Sequence, residues 1–283
     1  MKKKIETEFF AVTRFALKLA AFAGLAFLIA KTINPASAAE LKDKTIVVGT
    51  TVGDFAIMVN EGLKPELEKK GYRVKLVQFT DYVRPNLALS EGTLDVNIFQ
   101  HKPYLDGFAQ EKGLKLSPLA SVPTAPLGLY AGKLKTLAEV KDGTTIAVPN
   151  DPSNLARALV ILSEIGWIEL KKNISPLRVS LKDLQKNSRN LKIVQLEAAQ
   201  LPRSLGDVDY AVINGNYATS AGIPLASAIA REKNDNYINH AVVRTDDLNS
   251  VFARDFADAV RSASFKAFAK KRFEGYKFPS DWK

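Results

Sequence analysis

The sequence predicts an α/β chain of two lobes, each a mainly parallel sheet flanked by helices. Three observations carry this. Short β-branched apolar runs alternate with segments of helical period. Glycines and prolines punctuate the boundaries. A Pro-rich stretch, Val122-Pro-Thr-Ala-Pro126, separates two successive series of this kind. Alternation of strand and helix implies parallel strands covered on both faces.

In the first series Thr45–Gly49 reads as a buried strand. Phe55 to Lys70 reads as one helix, with Phe55, Met58, Val59, Leu63 and Leu67 near helical spacing and Gly71 as its stop. Val74–Gln78 is the next strand. A short helix is predicted over Asn86–Glu91, a strand over Leu94–Phe99 and a helix over Pro103–Lys112. The second series has strands at Leu127–Tyr130, Thr145–Val148, Lys192–Gln195 and Tyr210–Ile213. A long apolar helix runs to about Ile165, capped by Ser153, and a short helix lies near Gln200–Leu205. Ala241–Arg244 is a late strand. Ser250 to Phe273 reads as one C-terminal helix with Phe252, Phe256, Ala259, Val260, Ala263, Ala267 and Phe268 on one face. The expected organisation is residues 39–122 with 240–283 in the first lobe and 123–239 in the second, with hinges near Val122–Pro126 and Asn234–Asn239.

The first 38 residues read as an export signal. Lys2, Lys3, Lys4, Arg14 and Lys18 precede an uncharged run from Leu19 to Ala30. Twelve helical residues span about 18 Å, short of the roughly 30 Å hydrocarbon core. Ala36-Ser37-Ala38 then follows Pro35, giving a small-x-small site with cleavage after Ala38 or Ala39. The expected location is the periplasm, free or tethered if the signal stays.

Composition narrows the function. The 283 residues are 46% hydrophobic and 25% charged, an ordinary globular balance. The net charge is +10. Six basic and two acidic side chains fall within residues 1–38, so the remaining 245 residues carry +6, interspersed with acids. That is a solvated basic surface, and no nucleic-acid partner is expected. Cysteine is absent, which excludes disulfides, thiolate metal sites, thiol catalysis and a lipid thioether. The two histidines, His101 and His240, are too few for a His-rich metal site. No nucleophile elbow, zincin, P-loop or dinucleotide motif occurs. The reading is therefore no catalytic residues, no metal and no cofactor.

Ligands of such sheets bind beyond the carboxyl ends of the strands. There the chain places Tyr82, Phe99, His101 and Tyr104, then Asn154 and Arg157, then Asn214. Asn154 and Arg157 lie three apart on one helical face near a helix N-terminus, a setting for a carboxylate. The Asn214 carbonyl can accept from an ammonium, and aromatics suit an apolar side chain. Together these describe a site for a small zwitterion. His240 reads as structural.

Four segments in order carry a resemblance: Val77–Tyr82 with Pro85-Asn86, Asp95–His101 with Pro103–Leu105, Ala147–Asn150 with Ser153–Arg157, and Ala211–Asn214 with Asn216–Ala218. From about Lys44 to the C-terminus the chain resembles the NlpA/MetQ family of methionine-binding substrate proteins of bacterial ABC importers. The resemblance implies a bilobed periplasmic-binding fold with the ligand clamped between lobes. It implies an inner-membrane ABC permease as partner and methionine as ligand. Arg157 and Asn154 would hold the carboxylate and Asn214 the amino group. Tyr82, Phe99, His101 and Tyr104 would line the side-chain pocket, where sulfur–aromatic contacts are favourable. Two departures are visible: many relatives are anchored through an N-terminal Cys, which this chain lacks, and Asp54 stands in a first loop where relatives differ. A receptor of the same fold for another small anion, zwitterion or dipeptide is the alternative, and a periplasmic enzyme on this fold is a more distant one.

Overall fold

Why the chain divides follows from where its strands pair. The computed structural model describes residues Leu41–Trp282; the predicted export signal lies outside them. Strands β1 (Thr45–Thr51), β2 (Arg73–Phe79), β3 (Val96–His101), β4 (Leu116–Val122) and β12 (Asn239–Arg244) form one sheet, ordered β2-β1-β3-β12-β4. Strands β5 (Gly128–Ala131), β6 (Thr145–Pro149), β9 (Lys192–Leu196), β10 (Tyr210–Ile213) and β11 (Ala230–Arg231) form the second, ordered β11-β5-β10-β6-β9. A small hairpin, β7 (Glu169–Leu170) with β8 (Leu184–Lys186), stands apart. In the first sheet β2, β1 and β3 pair in parallel and β12 runs against both neighbours. In the second, β10, β6 and β9 are parallel and β5 is the reversed strand. Each sheet thus has four strands in one direction and one against. The backbone crosses from the first sheet to the second after Val122 and returns between Arg231 and Asn239.

Each sheet has its own apolar core. Ile46, Val48, Val96 and Ile98 of the first pack under Phe55, Met58, Val59 and Leu63, and under the C-terminal Phe252, Phe256 and Phe265. Ile146, Val148 and Val212 of the second pack under Leu155, Leu159 and Leu162. Buried on both faces, such strands read as continuous apolar runs, which is why the sequence marks them clearly.

Four readings change. The first helix, α1, begins as an α-helix at Asp54–Ile57, widens to a π turn over Met58–Leu63 and resumes over Lys64–Lys69. Pro65 lies just past the wide turn, and a proline inside a helix has no N–H to give the preceding turn. The short helix α2 (Arg84–Ser90) and α3 (Lys102–Lys112) fall close to expectation. The long helix α4 (Pro152–Glu164) is capped by Asp151 rather than Ser153: its carboxylate accepts from the Asn154 N–H, and Pro152 takes the first helical position. Beyond α5 (Leu201–Ser204) and α6 (Gly215–Ser220), the single C-terminal helix is two, α7 (Val251–Arg261) and α8 (Ala263–Arg272). Ser262 leaves the helical region, and its hydroxyl caps α8 by accepting from the Phe265 N–H. The bend sends Phe265 into the same core as Phe252 and Phe256. Finally, β4 is a strand where none is predicted. Pro118 obscures it, and it is tolerated because β4 is an edge strand.

Candidate functional site

The carboxyl end of β3 delivers Phe99, Gln100 and His101 to the face between the two sheets. His101 also caps α3: its Nδ1 accepts from the Tyr104 N–H at 3.1 Å. A backbone N–H can only donate, so Nδ1 is bare and the ring proton sits on Nε2. That proton points at Asn154 Oδ1, 3.3 Å away. Burial, with the Arg157 charge nearby, holds the imidazole well below its ordinary pKa.

The other side of the site is built by α4 and the end of β10. The Asn154 side chain is a junction. Its Nδ2 donates to both oxygens of Asp151, at 3.0 and 2.8 Å. Its Oδ1 accepts from Arg157 Nη1 at 2.7 Å and from Asn214 Nδ2 at 3.0 Å, as well as from His101. Arg157 is 4% exposed, and its Nε and Nη2 donate to the two carboxylate oxygens of Glu232 at 2.8 and 2.6 Å. Burial works against the guanidinium charge, but Glu232 outweighs it and the pKa lies above the usual arginine value. The Tyr237 ring packs on its face at 4.6 Å, a favourable cation–π contact. Of five guanidinium N–H groups, Glu232 and Asn154 take three. One N–H on each terminal nitrogen is left without a partner among the described residues.

The side-chain oxygen of Asn214, Oδ1, is buried with no hydrogen-bond partner among the described residues. Such an atom costs free energy unless something donates to it. The aromatic wall completes the site. Tyr82 lies 5.8 Å from Phe99, 5.9 Å from Tyr104 and 5.0 Å from Tyr217, ring centre to ring centre. Its hydroxyl donates to Asn216 Oδ1 at 2.8 Å, and Tyr104 Oη donates to the Tyr82 carbonyl at 2.8 Å.

All seven residues expected from the sequence, Tyr82, Phe99, His101, Tyr104, Asn154, Arg157 and Asn214, line one cavity. Asn216, Thr124 and Asn239 line it as well and were not picked. Neither were Glu232 and Tyr237, which hold Arg157 from behind. Glu232 sits in Arg231-Glu-Lys-Asn-Asp235, which reads as a solvated charge run and gives no hint of burial. His240, read as structural, is half-buried with Nε2 3.4 Å from Ser121 Oγ and does not line the cavity.

The two sheets meet around this cavity through polar contacts at the tip of α6. Ser220 Oγ donates to the Val52 carbonyl at 3.1 Å, and Tyr217 Oη to the Thr80 carbonyl at 3.2 Å. Thr219 and Tyr276 both donate to the Asp54 carboxylate. Gly53 makes this approach possible. It has φ +91°, and a Cβ there would lie 2.0 Å from Ser220 Oγ. Gly53→Val should therefore destabilise the fold by about 1–3 kcal/mol in urea melts, with Ser220→Ala recovering part of the loss.

The neutral His101 has a consequence for stability. The unfolded chain takes up a proton on this residue below about pH 6.5, whereas the folded chain does not. Stability is therefore lost as pH falls below that value, by up to about 1.4 kcal/mol per pH unit. Urea melts at pH 7 and pH 5 should show the loss, and His101→Gln should reduce it.

Two α/β sheets, joined by two backbone crossings and enclosing a cavity of convergent amides, one arginine fork and aromatic rings, define a bilobed ligand-binding protein. Comparison with known proteins gives the family. The family model described as NlpA lipoprotein matches residues 46–281. The D-methionine-binding lipoprotein MetQ of Salmonella typhi is 41% identical over 265 residues, which cover 92% of this chain and 97% of that protein. The crystal structure of the methionine-binding protein MetQ superposes with a TM-score of 0.79 at 40% identity, covering 84% of this chain and 99% of that one. A nutrient-binding protein from Burkholderia cenocepacia, bound to methionine, gives a TM-score of 0.77 at 40% identity, covering 81% and 97%. The chain belongs to the NlpA lipoprotein family. Among the described residues, no helix is long and apolar enough to cross a membrane.

Proposed function

We propose that this protein is an exported receptor that binds methionine or a closely related amino acid between its lobes and delivers it to an inner-membrane ABC importer. The observation that carries the reading is one cavity in which the Arg157 guanidinium and the Asn214 side-chain amide stand side by side, both bonded to Asn154 Oδ1, next to an aromatic wall. The two remaining N–H groups of Arg157 suit a carboxylate, and the unpartnered Asn214 Oδ1 suits an ammonium. Tyr82, Phe99, His101 and Tyr104 suit the thioether chain. Asn154, whose Oδ1 is shared by Arg157, His101 and Asn214, stands beside Arg157 at the carboxylate end. The names of the relatives support methionine as the ligand and a lipoprotein-type receptor as the role.

In this reading residues 39–122 with 240–283 form one lobe and 123–239 the other. The crossings near Val122–Pro126 and Asn234–Asn239 absorb closure. Residues 1–38 direct export to the periplasm. The protein catalyses nothing: its only titratable imidazole at the cavity is neutral and saturated by the Tyr104 N–H and Asn154. The test is a thermal-shift panel on refolded, ligand-stripped protein with L- and D-methionine, the other amino acids, Gly-Met and sulfonates. Ligand at 100 times its Kd should add about 2.7 kcal/mol, a rise of roughly 5–10 °C. A rise with methionine and close analogues is expected. No rise with any α-amino acid would remove the reading.

A further inference from the structure

Among the described residues, Arg157 is the one charged residue lining the cavity, yet its charge is already answered. Glu232, with its side chain 5% exposed, meets it through two parallel hydrogen bonds at 2.6 and 2.8 Å. The carboxylate is itself fixed. Oε1 accepts from the Leu127 N–H at 3.0 Å, and the Glu232 N–H donates back to the Leu127 carbonyl at 3.1 Å. These four bonds seat Glu232 where the two backbone crossings run side by side, behind the arginine and away from the cavity mouth. A surface ion pair would contribute little here, but both partners are desolvated, so the pair's net charge governs what can be buried beside it.

We propose that Glu232 is a specificity-determining residue that sets the charge class of the ligand: by cancelling Arg157 it makes the closed cavity electrically neutral, so the site takes a net-neutral zwitterion and rejects a net anion of the same shape. This rests on the amino-acid reading above. A zwitterion entering the cavity leaves it neutral, with its carboxylate on the remaining N–H groups of Arg157 and its ammonium on Asn214 Oδ1. A carboxylate without the ammonium brings an uncompensated negative charge to an arginine whose charge Glu232 already answers. Asp151, the other acid close by, is half-buried and faces Asn154. Without Glu232, Arg157 would present a full positive charge, as expected of a site for simple anions.

The test compares methionine with 4-(methylthio)butanoate, which is methionine without its amino group, by calorimetry on wild type and Glu232→Gln. Wild type should prefer methionine. In Glu232→Gln the ratio of the two dissociation constants should move toward the anion by at least about tenfold. In Arg157→Gln/Glu232→Gln, where the site is again uncharged, the preference should return to the zwitterion. Should Glu232→Gln not fold, the same charge is read from the other side. Arg157→Gln should favour the cation methioninamide over methionine by about tenfold more than the double variant does. Equal losses for both ligands in Glu232→Gln, or equal methioninamide preferences in the second comparison, would overturn the proposal by reducing Glu232 to a mere support. A wild type that binds neither ligand would instead overturn the amino-acid reading beneath it.

Discussion

Arg157→Met is expected to abolish high-affinity binding and to destabilise the fold in the same step. Removing the guanidinium takes away the only charged donor that the described residues bring to the cavity, and loss of a buried charged partner costs about 2–5 kcal/mol of binding, some 30- to 5,000-fold in Kd. The same change strands Glu232, whose carboxylate keeps only the Leu127 N–H. Breaking a buried pair from one side costs about 3–5 kcal/mol. At about 2–4 °C per kcal/mol the ligand-free midpoint should fall by roughly 6–20 °C. Calorimetric titration with methionine and a ligand-free melt check the two parts separately. Arg157→Met/Glu232→Leu should recover much of the midpoint and none of the affinity.

Tyr82→Ala is expected to give the second large effect. The ring is the centre of the aromatic wall, touching Phe99, Tyr104 and Tyr217, and its hydroxyl reaches Asn216 across the cleft. An aromatic ring contributes 150–250 Å² of buried surface, and a sulfur–aromatic contact about 0.3–1.5 kcal/mol. Affinity for methionine should drop by about 10- to 100-fold. Tyr82→Phe keeps the wall and loses one neutral hydrogen bond of about 1 kcal/mol, so it should lose only about fivefold. Titrations of the two variants side by side check the split. Equal losses would place the effect in the hydroxyl and its bridge to Asn216 instead of the ring.

The parts of this architecture that declare themselves in the sequence are those governed by local period and by strand ends. Buried strands such as β1, β6 and β10 are short apolar runs, and their ends lead into the site, so Phe99, His101 and Asn214 could be found by position alone. Asn154 and Arg157 could be found because three residues along a helix is one face. What stayed hidden depends on distant partners. The break at Ser262 exists because Phe265 must reach the core that holds Phe252 and Phe256, and a continuous helix would carry it past. The π turn over Met58–Leu63 sits inside a stretch whose period reads as one regular helix, and the edge strand containing Pro118 is a place where tertiary packing accommodates a proline. Glu232 is the plainest instance. It is an acid in a charged stretch, made functional only because the return crossing passes Leu127 and Arg157.

The most direct test of the account is a crystal structure of the protein soaked or grown with methionine after removal of any carried ligand. One methionine is expected in this cavity, its carboxylate on the remaining N–H groups of Arg157, its ammonium on Asn214 Oδ1 and its thioether against Tyr82 and Phe99, with the Arg157–Glu232 pair intact. Methionine bound elsewhere, or bound here with its carboxylate off Arg157 and Glu232 displaced, would contradict it.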